Sequence, residues 1–206
     1  MRRILFWDVD TQVDFVEPSG KLSVPGATII KNNLLRLTSS APSFCTLSGS
    51  VDVHTPQDRE FKTWPEHCVY GTPGQRKIPE STTRDALYVP SVMLTAGQLS
   101  EVVVYKKQVL FEKQQIDVET NPNTRHFLAK INPEEVVVYG VAADLCVDSS
   151  VKYIADKLGY KTTVALDAIM GIDSNKTKAC IDEWRSLKVS LQNTGQILAR
   201  LKREAG

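Results

Sequence analysis

Apolar residues along the chain fall into two alternating patterns. Short continuous runs such as RILFWD (Arg3 to Asp8), SFCTL (Ser43 to Leu47) and the valine-rich stretch Glu135 to Tyr139 read as buried strands, whereas ATIIKNNLLRL (Ala27 to Leu37) carries the spacing of one helix face. The same patterns predict strands at Glu101 to Tyr105, Val109 to Phe111 and Lys161 to Leu166. Helices are predicted near Asn123 to Lys130, Asp144 to Leu158, Ser174 to Leu187 and Thr194 to Arg203, with Gly159 where a helix must stop ahead of its strand. Strands that are apolar on both faces need helices on both sides, which predicts a three-layer α/β/α fold on a doubly wound, mainly parallel six-stranded sheet of Rossmann-like type. One segment breaks the alternation. Ser48 to about Ala86 is rich in Pro, Gly, His and Trp and too long to be a mere connector, so it is a candidate for function.

The 206 residues, 42% of them hydrophobic, suffice for one large core, and without internal repeats or a linker the expectation is a single domain over residues 1–206. Lys and Arg number 25 against 24 acidic residues, a net charge of +1, so no global field favours nucleic acid or an anionic membrane as a partner. The N-terminal MRRILFWDVD has too short an apolar run for a signal peptide, and no stretch is long enough to span a membrane, so the expected location is cytoplasmic. Cys45, Cys68, Cys146 and Cys180 are widely scattered, which favours free thiols over a disulfide framework.

In doubly wound sheets, ligands sit at the carboxyl ends of the strands. The polar residues there are Asp8, Asp10 and Asp14 after the first strand, Asp52 and His54 after the second, Lys113 after the 109–111 run, and Asp144 with Cys146 after the 135–139 run. Cys146 stands at the start of a predicted helix, where the helix dipole would lower its pKa and free backbone N–H groups could hold an oxyanion. The competing reading is a small buried hydrophobe. Of the three histidines, His126 falls on an exposed helix face, and His54 and His67 belong to the long loop, so a carboxylate and a lysine remain as the thiol's proton-handling partners. Within DVHTPQDREFKTWPEHC, the residues Asp52, His54, Glu60 and His67 supply two imidazoles and two carboxylates, a donor set suited to Zn, Mn or Fe.

Taken together, these residues resemble the isochorismatase-like cysteine hydrolases, and within them the nicotinamidases (pyrazinamidases) most closely, over about residues 3 to 190. The motif Asp10-Thr11-Gln12-Val13-Asp14-Phe15 is similar to the family's D-x-Q-x-D-F and implies Asp10 as catalytic acid/base and Phe15 as a pocket aromatic. Gly140 to Val147 (GVAADLCV) implies Cys146 as nucleophile, a cis Val141–Ala142 peptide, and an oxyanion hole from the Ala142 and Cys146 N–H groups. The metal motif implies Asp52, His54, Glu60 and His67 as ligands of one divalent ion, Zn before Mn or Fe, and Trp64 as a second pocket aromatic. For the lysine, Lys113 is preferred over Lys106, Lys107 and Lys130, although Glu119 stands where relatives carry an aromatic. The implied activity is hydrolysis of nicotinamide to nicotinate and ammonia through a cysteine thioester, a step of pyridine nucleotide (NAD) metabolism. Alternatives are the same chemistry on another small amide, such as an N-carbamoyl or ureido compound, or a non-catalytic scaffold. Vinyl-ether cleavage of the isochorismatase kind is disfavoured by Cys146. The implied partners are a small-molecule amide and further copies of the chain as a homo-oligomer.

Overall fold

The computed structural model describes residues 3–205, so Met1, Arg2 and Gly206 of the expected domain lie outside the described residues. In chain order the elements are β1 (Ile4–Val9), α1 (Val13–Val16), α2 (Lys31–Phe44), β2 (Cys45–Asp52), β3 (Leu87–Val89), α3 (Ala96–Val104), β4 (Gln108–Lys113), α4 (Thr124–Ile131), β5 (Glu135–Val141), α5 (Cys146–Val151), β6 (Thr162–Met170), α6 (Ser174–Ser186), β7 (Ser190–Gln192) and α7 (Thr194–Ala205). The strands form one sheet in the order β3-β4-β2-β1-β5-β6-β7, and each neighbouring pair is parallel.

Alternation along the central strands assigns side chains to two cores. Leu5, Trp7 and Val9 of β1, with Val136 and Val138 of β5, face α3 to α6 through Leu99, Phe127, Val147 and Trp184. Ile4 and Phe6, with Val137 and Tyr139, face α2 and α7 through Leu34, Leu37 and Ile197. The fold is therefore the expected α/β arrangement with a parallel sheet between helical layers.

The sheet has seven strands rather than six. Glu101 to Tyr105, predicted as a strand, is instead the end of α3 and its C-cap. Thr95 and Gln98 form a reciprocal capping box that starts this helix, Leu99 and Val102 bury its inner face, and Val104 is left exposed. The two unexpected strands, β3 and β7, are three-residue edge strands with partly exposed positions, too short to leave a periodic signal. The helix predicted for Asp144 to Leu158 begins at Cys146 and changes to π-helical turns over Lys152–Lys157.

With β1 central, the chain first fills one side with β2, then the edge strand β3 and β4 between them, before it crosses to β5 on the other side of β1. That reversal opens a crevice above the carboxyl ends of β2, β1 and β5. Gly140 stands at its edge with φ of 122°, and a Cβ there would come within 2.1 Å of the Val9 carbonyl oxygen. Only glycine allows β5 to close on β1 at this height.

At the opposite end of the sheet, Glu135 is buried at the start of β5. Its carboxylate accepts a two-pronged contact from Arg200 (2.6 and 3.0 Å), the Thr163 hydroxyl (2.7 Å) and the Lys161 ammonium (3.0 Å). Burial pushes its pKa up, but Arg200, Thr163 and Lys161 together hold it below the usual range. The stability this group supplies is therefore present above the pKa of an unfolded Glu and lost as pH falls through the lower folded value. Glu135→Gln should cost about 2 kcal/mol at pH 7. Urea unfolding at pH 7 and in strong acid checks this: the gap between variant and parent should close in acid, and a gap independent of pH would contradict it.

Candidate active site

The carboxyl ends of β1, β2 and β5, together with that of the adjoining β4, each deliver a chemical group. Asp10 follows β1 in a left-handed conformation (φ 47°), is 1% exposed, and accepts a hydrogen bond from the Ser50 hydroxyl at 2.7 Å. Lys113 ends β4, has no exposed surface, and is ion-paired through Nζ with Asp10 Oδ2 at 2.9 Å and with Asp52 Oδ1. The same ammonium donates to the Gln115 carbonyl at 3.0 Å and lies 3.6 Å from Cys146 Sγ. Cys146 is the first residue of α5, beyond the end of β5. Lys106, Lys107 and Lys130 are exposed, and Lys107 is paired with Asp85, so the lysine at the thiol is Lys113.

Electrostatics differ from the expectation of a preformed thiolate. Burial pushes the Cys146 thiol well above its ordinary pKa, and Asp10 and Asp52 add to this, outweighing Lys113. The six-residue α5 supplies too little dipole to reverse the shift. Asp10 is also raised, first by burial and then by Asp52, against the pull of Lys113. The site is thus a neutral thiol beside a carboxylate of enhanced basicity and a fixed ammonium.

The Val141–Ala142 peptide is cis. In the turn that follows, the N–H groups of Ala143, Leu145 and Val147 bond to backbone carbonyls, whereas those of Ala142 and Cys146 are not among these backbone donors in the described residues. Asp144 does not cap α5: its carboxylate accepts the N–H groups of Ile172 and Asp173 at 2.8 and 2.9 Å and ties down the loop after β6.

A second donor cluster adjoins the first through Asp52. Its Oδ2 lies 3.8 Å from the Nε2 atoms of both His54 and His67, and all three residues are buried. His67 Nδ1 donates to the Pro65 carbonyl at 2.7 Å, which leaves Nε2 as the lone-pair nitrogen of the neutral ring. His54 Nδ1 is 3.0 Å from Asp58 Oδ2, while His54 Nε2 is buried with no hydrogen-bond partner among the described residues. A buried unpartnered imidazole nitrogen facing a carboxylate and a second free imidazole nitrogen suits a divalent cation, so the residues fit a metal ion. Glu60, the fourth expected ligand, stands farther out, with Oε1 3.9 Å from His67 Nε2. Burial of His67 lowers its pKa; that of His54 is raised because Asp52 and Asp58 outweigh burial.

Several residues to which the sequence reading gave no role in the site hold this arrangement. Gln12 accepts the Asp52 N–H at 2.7 Å and donates to the Asp52 and Gln75 carbonyls at 2.8 and 2.7 Å, locking the backbone of the shared carboxylate. Asp14 accepts the Cys68 N–H at 2.7 Å beside His67, and a Cβ on Gly74 would fall 2.1 Å from its carboxylate, so the loop folds this closely only with glycine there. Beneath them, Lys77 pairs with Asp8 at 2.8 Å and donates to the Thr11 hydroxyl at 2.7 Å. Trp7 is core, stacked on Phe111, and His126 and Glu119 are exposed.

Above the clusters lies a narrow, mainly apolar pocket with Phe15, Trp64, Ile116 and Leu145 on its walls and Asp52, His67 and Cys146 reaching it from below. Phe15 packs on His67 with ring centroids 5.2 Å apart. Such a pocket takes a small, flat, largely apolar molecule bearing one polar group.

The parallel sheet, with helices on both faces, thus gathers a cysteine, a lysine and an aspartate at its strand ends. The isochorismatase domain model matches residues 96–196, a span that includes Lys113 and Cys146. Over that span the chain is similar to the isochorismatase-like hydrolases. It is 29% identical to a nicotinamidase/pyrazinamidase of Mycobacterium tuberculosis over 195 residues, covering 89% of this chain and 95% of that protein. Among solved structures, it resembles an isochorismatase-like hydrolase from Alkaliphilus metalliredigens (TM-score 0.78, 17% identity, 96% and 98% of the two chains). It also resembles the pyrazinamidase of Pyrococcus horikoshii in complex with zinc (TM-score 0.72, 21% identity, 93% and 99%).

Asp58 holds the far side of the His54 ring through Oδ2, while its Oδ1 accepts the Glu60 N–H at 3.0 Å. Outer partners of this kind orient a ligand and raise its basicity, so Asp58→Ala should weaken zinc binding about 10-fold or more with the fold intact. Competition with a chromogenic chelator measures it, and unchanged affinity would contradict the geometry.

Proposed function

We propose that the protein is a metal-dependent, nicotinamidase-like amidohydrolase that converts nicotinamide to nicotinate and ammonia through a thioester on Cys146. The observation that carries this reading is the sharing of Asp52. One of its oxygens pairs with Lys113 in the cluster that contains the thiol, and the other faces the two histidines, so the nucleophile and the metal donors meet at the floor of one pocket. Similarity to a nicotinamidase/pyrazinamidase along most of the chain supports the substrate class, and the zinc in the Pyrococcus relative supports zinc over manganese or iron.

In the proposed reaction, Asp10 takes the Cys146 proton as the sulfur attacks the amide carbon. Its raised pKa makes it a stronger base than an exposed aspartate, and the adjoining Lys113 charge stabilises the thiolate as it forms. The N–H groups of Ala142 and Cys146 would hold the oxygen of the tetrahedral intermediate, an interaction usually worth about 3 kcal/mol of barrier per donor. Asp10 then gives its proton to the departing ammonia, leaving the acyl group on sulfur. A water molecule, deprotonated by Asp10, releases the acid and restores the thiol. A divalent ion on Asp52, His54 and His67, with Glu60 as a further ligand, would supply a Lewis-acid contact for the pyridine nitrogen and so orient the amide. Phe15 and Trp64 provide aromatic faces for the ring.

Purified protein given nicotinamide should release ammonia. Cys146→Ala should lower turnover by about a thousandfold or more, and Asp10→Asn by a similar factor, since each acts in the bond-making step. Chelator treatment should abolish the activity and added zinc should restore it. Full turnover by Cys146→Ala would overturn the mechanism. Activity on an N-carbamoyl compound with none on nicotinamide would overturn the substrate assignment and leave the mechanism standing.

A further inference from the structure

We propose that the Lys113 ammonium occupies a second cation site, made by Asp10, Asp52 and Cys146, and thereby keeps a metal ion off the nucleophile. One carboxylate oxygen from each aspartate and the Cys146 sulfur lie within 4.8 Å of one another, as do the donor atoms of Asp52, His54 and His67 next to them. By donor type and spacing alone, the crevice therefore contains two donor sets able to hold a metal ion, and they share Asp52.

Lys113 Nζ stands among the donors of the first. It is 2.9 Å from Asp10 Oδ2, paired with Asp52 Oδ1, 3.6 Å from Cys146 Sγ and 3.0 Å from the Gln115 carbonyl oxygen. Two carboxylates, a sulfur and a carbonyl are a four-donor set that zinc or cadmium accepts. The free oxygen of Asp52 faces the other way, 3.8 Å from both histidine nitrogens. A carboxylate placed between two such sets is the bridge of a two-metal centre. The structure sets an ammonium where the second ion of that pair would stand.

The distinction matters because of the sulfur. A metal ion in the second site would bond to Cys146 as the S–H bond broke and its proton passed to buffer, and the lone pair needed for attack would be engaged. An ammonium offers the two carboxylates the same sign of charge but only donates a hydrogen bond to sulfur and forms no coordinate bond with it. Lys113 has no exposed surface and no water shell to return to, so it is a fixed competitor for that position. This role is separate from proton handling and does not depend on which amide is the substrate.

Cadmium is the probe, because a cadmium–thiolate bond gives an ultraviolet charge-transfer band that a site of carboxylate and imidazole does not. Wild-type protein in excess cadmium should bind one equivalent and show no band assignable to Cys146. Lys113→Ala, checked for folding by circular dichroism, should bind two equivalents and show the band, and Lys113→Ala/Cys146→Ala should return to one equivalent without it. A folded Lys113→Ala that binds one equivalent and shows no band would overturn the proposal. If that variant does not fold, wild-type protein still decides: a band that disappears in Cys146→Ala would overturn exclusion by Lys113, and no Cys146-dependent band would support it.

Discussion

The buried ammonium of Lys113, shared between Asp10 and Asp52, is the interaction on which the site depends. Two carboxylates against one ammonium leave one uncompensated negative charge in a region with almost no solvent contact. Such a charge is costly unless something answers it. The raised pKa of His54, where Asp52 and Asp58 outweigh burial, is one expression of that field. The free nitrogens of His54 and His67 beside Asp52 give a divalent cation a place to answer it more fully. Burial, with this excess adding to it, raises the Cys146 thiol, so in the proposed reaction the thiolate forms during attack and is not stored beforehand.

The sheet makes this concentration of charge possible. Reversal of the winding direction at β1 leaves a gap above its end, and parallel strands on either side point their termini into it. Backbone contacts then hold the loops at this depth: Gln12 brackets Asp52, Asp14 bonds to the loop beside His67, and Asp144 anchors the turn after β6. Asp8 and Lys77 form their own closed pair below, so the charge of that aspartate does not add to the excess around Lys113.

Much of this was legible in the sequence where the signal was long or local. β1, β5 and β6 contain continuous apolar runs because both faces are covered, and the groups just past them could be gathered by topology alone. The residues Asp10, Lys113, Cys146, Asp52, His54 and His67 do come together, and Phe15 and Trp64 share the pocket above them. Where reading failed, the deciding contact was tertiary or the element was short. The valines at 102–104 suggest a strand until the capping box upstream is considered, and β7 is three residues long with no apolar alternation. Gln12 and Lys77 act through partners distant in sequence and Asp58 through two local hydrogen bonds, and their residue types are common on surfaces. The pKa of Cys146 was misjudged for a related reason. Helix-start placement is visible in sequence, but the burial that opposes it, and the two carboxylates that add to burial from other strands, are set by the tertiary fold.

The central claim is that the buried thiol, deprotonated by Asp10 beside Lys113, takes the acyl group of a small amide. Intact-protein mass spectrometry of enzyme quenched during turnover of nicotinamide tests it most directly. The account predicts a nicotinoyl adduct that maps to Cys146, is released by hydroxylamine, and accumulates when hydrolysis of the thioester is slowed. Turnover without any adduct on Cys146, or an adduct on another residue, would contradict it.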